Sequence, residues 1–108
     1  LWLIGMMGAG KSVVGRLAAE RLGRGFADTD EEIERRMRRS IPEVWEAHGE
    51  AGFRAVEAAA VAALAGTGAV VATGGGVVTR PENVTVMRRS GLVVWLEADP
   101  ATLAARVG

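Results

Sequence analysis

The chain has 108 residues, 49% of them apolar, with 13 acidic and 13 basic side chains that cancel at neutral pH. That length suits one domain near the lower end of the common range, and the balanced charge excludes the basic surplus of a nucleic-acid or anionic-membrane surface. Cysteine is absent, which excludes disulfides and thiolate metal sites, and no apolar run approaches the length of a membrane span.

Taken in chain order, "LWLI" (1–4) is a short apolar run ended by glycine, the pattern of a buried parallel strand. It has no basic flank and no cleavage-like site, so it is not read as a leader. A glycine-rich loop follows. Val13, Val14, Leu17, Ala18 and Leu22 then recur at helical spacing up to a stop at Gly23. "GFAD" (25–28) is a weak strand. "TDEEIERRMRRS" (29–40) reads as a helix, with Thr29 and Glu32 spaced as a capping box and arginines at its far end. Pro42 opens a second helical piece, and after Gly49 an alanine-rich helix follows. "AVVA" (69–72) is a buried strand running into "TGGG", the segment "RPENVTVMRRSG" is a helix, and "LVVWL" (92–96) is another strand. A last helix is expected to open at Asp99–Pro100. Trp2 and Trp95 are expected in the core, Trp45 there or else lining a ligand pocket, and His48 at the surface.

Strands alternating with helices imply a parallel α/β sheet with right-handed crossovers, whose ligands gather at the carboxyl ends of the strands. The glycine loop, the Asp28/Asp30 pair and the glycine triplet each follow a strand. They are therefore expected to share one edge of the sheet.

"GMMGAGKS" (5–12) matches G-x-x-x-x-G-K-[ST] and lies between a strand and a helix, the context that gives the motif its meaning. Glycines let backbone N–H groups point at phosphate oxygens, and the helix start adds its positive end. Lys11, the only lysine among the basic side chains, would neutralise the outer phosphates, and the Ser12 hydroxyl would ligate Mg²⁺. A nucleoside triphosphate ligand is expected, held by Gly8, Ala9, Gly10, Lys11, Ser12 and Val13. GTPases, motor ATPases and small-molecule kinases all share this motif.

Asp28 and Asp30 alternate by two, so an extended stretch would put both carboxylates on one face; alternatively Asp30 belongs only to the acidic first turn of the helix. Arg54 and Glu57, at i and i+3, form either an exposed ion pair or a guanidinium fork aimed at an anion. Three consecutive glycines, Gly74 to Gly76, offer backbone N–H groups beside a ligand, where a simple turn would need one glycine.

"GMMGAGKS", "DTD", "FRxxE" (Phe53, Arg54, Glu57) and "TGGG", in this order and spacing, resemble shikimate kinase, and the resemblance runs through "VVWLEADPATLAARVG". It implies a P-loop three-layer α/β/α fold, with four of an expected five strands present. The implied activity is transfer of the ATP γ-phosphate to the 3-hydroxyl of shikimate, a step toward chorismate and the aromatic amino acids. By the same resemblance Asp28 serves Mg²⁺ through water, and Asp30 bonds shikimate hydroxyls as candidate base. Arg54 grips the shikimate carboxylate, and Gly74, Gly75 and Gly76 lie against the substrate. The expected protein is a cytoplasmic monomer acting on small molecules, with no nucleic-acid or membrane partner. A gluconate- or nucleoside-monophosphate-type kinase, or an inactive relative serving as a nucleotide-responsive or interaction domain, are the alternatives.

The family continues into an arginine-bearing lid, a last strand and a second substrate arginine that these residues do not contain. Residues 1–108 are accordingly expected to be a P-loop domain cut before the lid, with little or no kinase activity alone.

Overall fold

Adjacent residues of a strand face opposite sides of a sheet, yet Trp2 and Leu3 are both buried, at 2% exposure each. The sheet is therefore covered on both faces. In a computed structural model that describes residues 1–5 and 10–96, the elements are β1 (Trp2–Gly5), α1 (Lys11–Leu22), β2 (Phe26–Asp28), α2 (Thr29–Met37), α3 (Ile41–Leu64), β3 (Val70–Ala72), a single 3-10 turn (Val77–Thr79), α4 (Pro81–Ser90) and β4 (Val93–Leu96). The expected helix at Asp99–Pro100 and the loop residues Gly8 and Ala9 lie outside the described residues.

Trp2 packs with Val71, with Val61 of α3 and with Met87 of α4. Leu3 packs on the other side with Val70 and with Ala19 of α1, bordered by Val14, Ala18 and Phe26. Three layers result, α1 on one face and α3 with α4 on the other, as the resemblance implies. A further apolar cluster of Ile33, Val44, Phe53 and Ala60 joins α2 to α3.

All strand pairs are parallel, in the order β2-β3-β1-β4. Asp28 stands opposite Ala72, and Gly5 opposite Leu96. The strands thus end together, and each following loop emerges on the same edge.

Several boundaries differ from expectation. Helix α2 ends at Met37, not Ser40, because Arg38 turns left-handed at φ 54° and its N–H bonds the Glu34 carbonyl. Ser40 instead caps α3: its Oγ accepts from the Glu43 N–H at 3.4 Å, while the Glu43 carboxylate accepts from the Ser40 N–H at 3.0 Å. The expected box at Thr29 and Glu32 does not form. Asp28 caps α2, and Glu32 pairs with Arg35 and Arg36.

The two helical pieces expected on either side of Gly49 run on as α3 with one break, at Gly49, where φ is 70° and ψ −176°. Only glycine adopts that conformation comfortably. A β-carbon there would meet nothing within 4 Å, so any penalty is backbone strain alone. Gly49→Ala is expected to lower stability by ~1–3 kcal/mol, read as a lower urea midpoint at unchanged slope.

Trp2 is in the core as expected, its indole Nε1 donating to Ser90 Oγ at 3.0 Å. Trp45 is half-buried and His48 exposed. Trp95 departs from expectation at 66% exposure. Among the described residues β4 pairs with β1 alone. Trp95, opposite Ile4 in register, helps line a cavity of about 490 Å³, together with Val78, Val84, Met87 and Arg88. No described helix is long and apolar enough to cross a membrane.

Candidate active site

A helix start exposes N–H groups that need acceptors. Helix α1 begins after Gly10, which is left-handed at φ 78°; no side chain caps this end, and its first turn holds no acid. Its positive pole therefore lies at Gly10, where an anion would be favoured. Lys11 reaches back so that Nζ donates to the Gly5 carbonyl. Burial pushes its ammonium below the ordinary lysine range, and the charges of Asp30 and Asp28 oppose that shift. Val13, one residue past Ser12, is exposed.

Asp28, the last residue of β2, is still extended, and its two oxygens are divided. Oδ1 accepts from the N–H groups of Asp30 at 2.8 Å and Glu31 at 3.3 Å, capping α2. Oδ2 accepts from the Ser12 hydroxyl at 3.3 Å. The cap holds the carboxylate still, so that its second oxygen faces the start of α1.

Asp30 is the second residue of α2, not part of an extended pair, so the strand-face geometry ends at Asp28. The first helical turn nevertheless carries Asp30 to the ligand edge. A β-carbon added to Gly74 would lie 2.9 Å from Asp30 Oδ1 and 3.6 Å from Glu57 Oε2. Burial raises the Asp30 carboxyl above the ordinary range, Asp28 and Glu34 add to the rise, and Lys11 opposes it.

Arg54 and Glu57 form the fork, with Nη1 donating to Glu57 Oε1 at 3.0 Å. Glu57 is 2% exposed at its side chain and Arg54 27%, so this is no surface pair. Burial raises the Glu57 carboxyl, Arg54 pulls it back through a hydrogen bond and its charge, and Asp30 adds to the rise. The guanidinium carbon lies 5.5 Å from the Trp45 ring centre and 5.4 Å from that of Phe53, and the two rings stack at 4.8 Å. A cation over two apolar rings keeps its planar orientation with little rotamer freedom.

Of the three N–H groups expected to face a ligand, that of Gly74 is already engaged within the fold. The Gly74 N–H donates to Thr29 Oγ1 at 2.9 Å. Gly76 faces Arg54 so closely that a β-carbon would lie 2.1 Å from Nη1. A β-carbon on Gly75 would meet nothing within 4 Å. Two glycines therefore make room for the Asp30 and Arg54 side chains, and the middle one faces open space. Thr29, expected only as a helix cap, and Thr73, given no role of its own in the sequence reading, are both buried, and Thr73 Oγ1 donates to the Leu3 carbonyl at 2.9 Å. Asn83, also buried, donates to the Val77 carbonyl at 3.0 Å. Their partners lie in other elements or behind a turn, and a threonine before "GGG" was the one visible signal.

This edge of a parallel sheet, with the Gly-x₄-Gly-Lys-Ser loop at one strand end and an acid pair at another, defines a P-loop α/β protein. Residues 7–108 match the family model described as shikimate kinase. A shikimate kinase of Symbiobacterium thermophilum is 53% identical over 105 residues, covering 96% of this chain and 60% of that relative. Among solved structures, shikimate kinase from Acinetobacter baumannii in complex with shikimate superposes with a TM-score of 0.87 at 44% identity, over 97% of this chain and 59% of that one. The Aquifex aeolicus enzyme gives 0.84 at 37% identity, over 94% and 61%. The chain belongs to the shikimate kinase family. It spans about three-fifths of the length of these relatives.

Proposed function

We propose that residues 1–108 form the P-loop domain of an enzyme that transfers the γ-phosphoryl group of ATP to the 3-hydroxyl of shikimate. The observation that carries this reading is the convergence of Lys11, Asp30 and Arg54 on one sheet edge, the last two seated against Gly74 and Gly76. In this reading the loop, with Gly8, Ala9 and Gly10, and the start of α1 with Lys11, Ser12 and Val13 hold the triphosphate. Arg54 grips the acceptor carboxylate, and Asp30 accepts the proton of the attacking hydroxyl. The new phosphorus–oxygen bond forms as the bond to ADP breaks. Alignment and charge neutralisation, rather than covalent chemistry, supply the acceleration.

A hydroxyl and a fixed carboxylate oxygen suit Mg²⁺, a hard cation that completes its shell with phosphates and water. Ser12 would ligate it directly and Asp28 through water, and the ion would spread the charge of the outer phosphates. The same reading makes the protein a cytoplasmic monomer that acts on small molecules and not on nucleic acid or membrane, in keeping with its balanced charge.

Shikimate-dependent ADP formation by the full-length protein, abolished by Lys11→Ala, is the expected result. ADP formation that responds to gluconate or a nucleoside monophosphate and ignores shikimate would sink the proposal. A rate that Lys11→Ala leaves unchanged would do the same.

A further inference from the structure

Arg80 takes no part in the site as so far described, yet its side chain reaches back into it. As the residue before Pro81 it is held extended, at φ −104° and ψ 114°, and its side chain does not cap α4. Instead, Nη1 donates to the main-chain carbonyl of Arg54 at 3.2 Å, while Nε lies 3.6 Å from Glu82 Oε2. A helix carbonyl has a second lone pair for such a donor.

The segment between Gly76 and Arg80 behaves as one unit. The Gly76 carbonyl accepts from the Thr79 N–H at 3.1 Å and from Thr79 Oγ1 at 2.6 Å. The Val77 carbonyl accepts from Asn83 Nδ2 at 3.0 Å, and Val77 is fully buried. The segment is thus closed by its own hydrogen bonds. Its tie to α3 falls on the residue whose guanidinium lies against Gly76. Gly76 touches the head of Arg54, and Arg80 holds its backbone.

We propose that Arg80 is a positioning residue for acceptor binding: by bonding the Arg54 carbonyl it fixes the spacing between α3 and the turn that carries Gly76. This rests on the reading of Arg54 as the carboxylate grip. One arm of the guanidinium bonds the carbonyl while another faces Glu82, and it is the donor to the carbonyl that sets the spacing.

The test is steady-state kinetics of the full-length protein with shikimate and ATP. Arg80→Ala is expected to raise KM for shikimate by about tenfold, with KM for ATP and saturated turnover within about twofold of the parent. Arg80→Lys, which keeps a donor, should recover most of the loss. Arg54→Ala, run alongside, separates the two claims. If it leaves KM for shikimate unchanged, the grip reading falls. If it raises that KM and Arg80→Ala does not, only the present inference falls. An equal rise in both KM values for Arg80→Ala, with no recovery in Arg80→Lys, would mark general loosening and also overturn it. Should Arg80→Ala fail to fold, Arg80→Lys and Arg80→Gln give the same comparison. A graded rise in the shikimate KM alone is expected from them, and a flat series rejects the proposal.

Discussion

Asp30→Asn is expected to lower shikimate turnover in the full-length protein by ~10²–10⁴-fold, the usual worth of a positioned base, while nucleotide affinity stays within about threefold. The amide keeps the shape that fits against Gly74 but cannot take the hydroxyl proton. In the proposed function nucleotide binding draws on the loop and α1, which the substitution leaves in place. Because burial, Asp28 and Glu34 hold the Asp30 carboxyl above its ordinary value, the acid limb of the turnover profile should also lie above that value. The same shift has a stability consequence of defined sign. The folded chain binds this proton more tightly than the unfolded chain does. Its contribution is therefore fully present below the unfolded value and is lost as pH rises through the folded one. Asp30→Asn lacks that loss, so its urea stability should gain on the parent across that window and hold the gain above it. If turnover with shikimate is intact, the carboxylate is only part of a helix turn. If the stability gap does not change with pH, the electrostatic account is wrong.

Arg54→Met should cost ~2–4 kcal/mol of stability at neutral pH, somewhat less than the loss of one partner from a fully buried pair because Arg54 is partly exposed. The cost arises at Glu57, which is left buried without its cation. Its carboxyl, already raised by burial, rises further, so the penalty grows as pH climbs through the carboxylate range. Adding Glu57→Gln removes the charge and should restore most of the stability, giving a strongly non-additive cycle. Acceptor binding should not return, because in the proposed function Arg54 is the grip and it is still missing. Urea unfolding of the four proteins, paired with shikimate titrations, separates these effects. Additive stability changes would show that the pair is energetically idle.

Much of this site was legible because its signals are local. Gly10, Lys11 and Ser12 follow an apolar run and precede a helical one, and spacing alone defines a phosphate cradle. Parallel topology then brings Asp28 and the triplet to the same edge, since every strand in such a sheet ends on one side. Features that depend on distant partners were not legible. Thr29 and Glu32 have the spacing of a capping box, and so do Ser40 and Glu43. Only the second forms, because the Thr29 hydroxyl is already committed to a Gly74 N–H 45 residues away. Asp28 then takes the cap with one oxygen and offers Ser12 the other, so cap and ligand edge are not competing roles. Trp95 misled because an apolar strand reads alike in the middle of a sheet and at its margin, where β4 stands among the described residues. Arg80 has no pattern at all, since a lone arginine before proline signals only a turn.

The order β2-β3-β1-β4 also governs how the site comes into being. β1 has no sequence neighbour in the sheet: Trp2 pairs with Val71 and with Val93. Such long loops close slowly, and their entropy must be met before any pairing returns it. As the chain leaves the ribosome, the strand that carries the phosphate loop is made well before β3 and waits for that partner. β2 waits for the same partner, since Phe26 pairs with Val70. The nucleotide half and the acceptor half are thus assembled by one event, the insertion of β3 between them. A nascent chain ending before Val70 should capture neither ligand. Once β3 docks, both affinities should appear together.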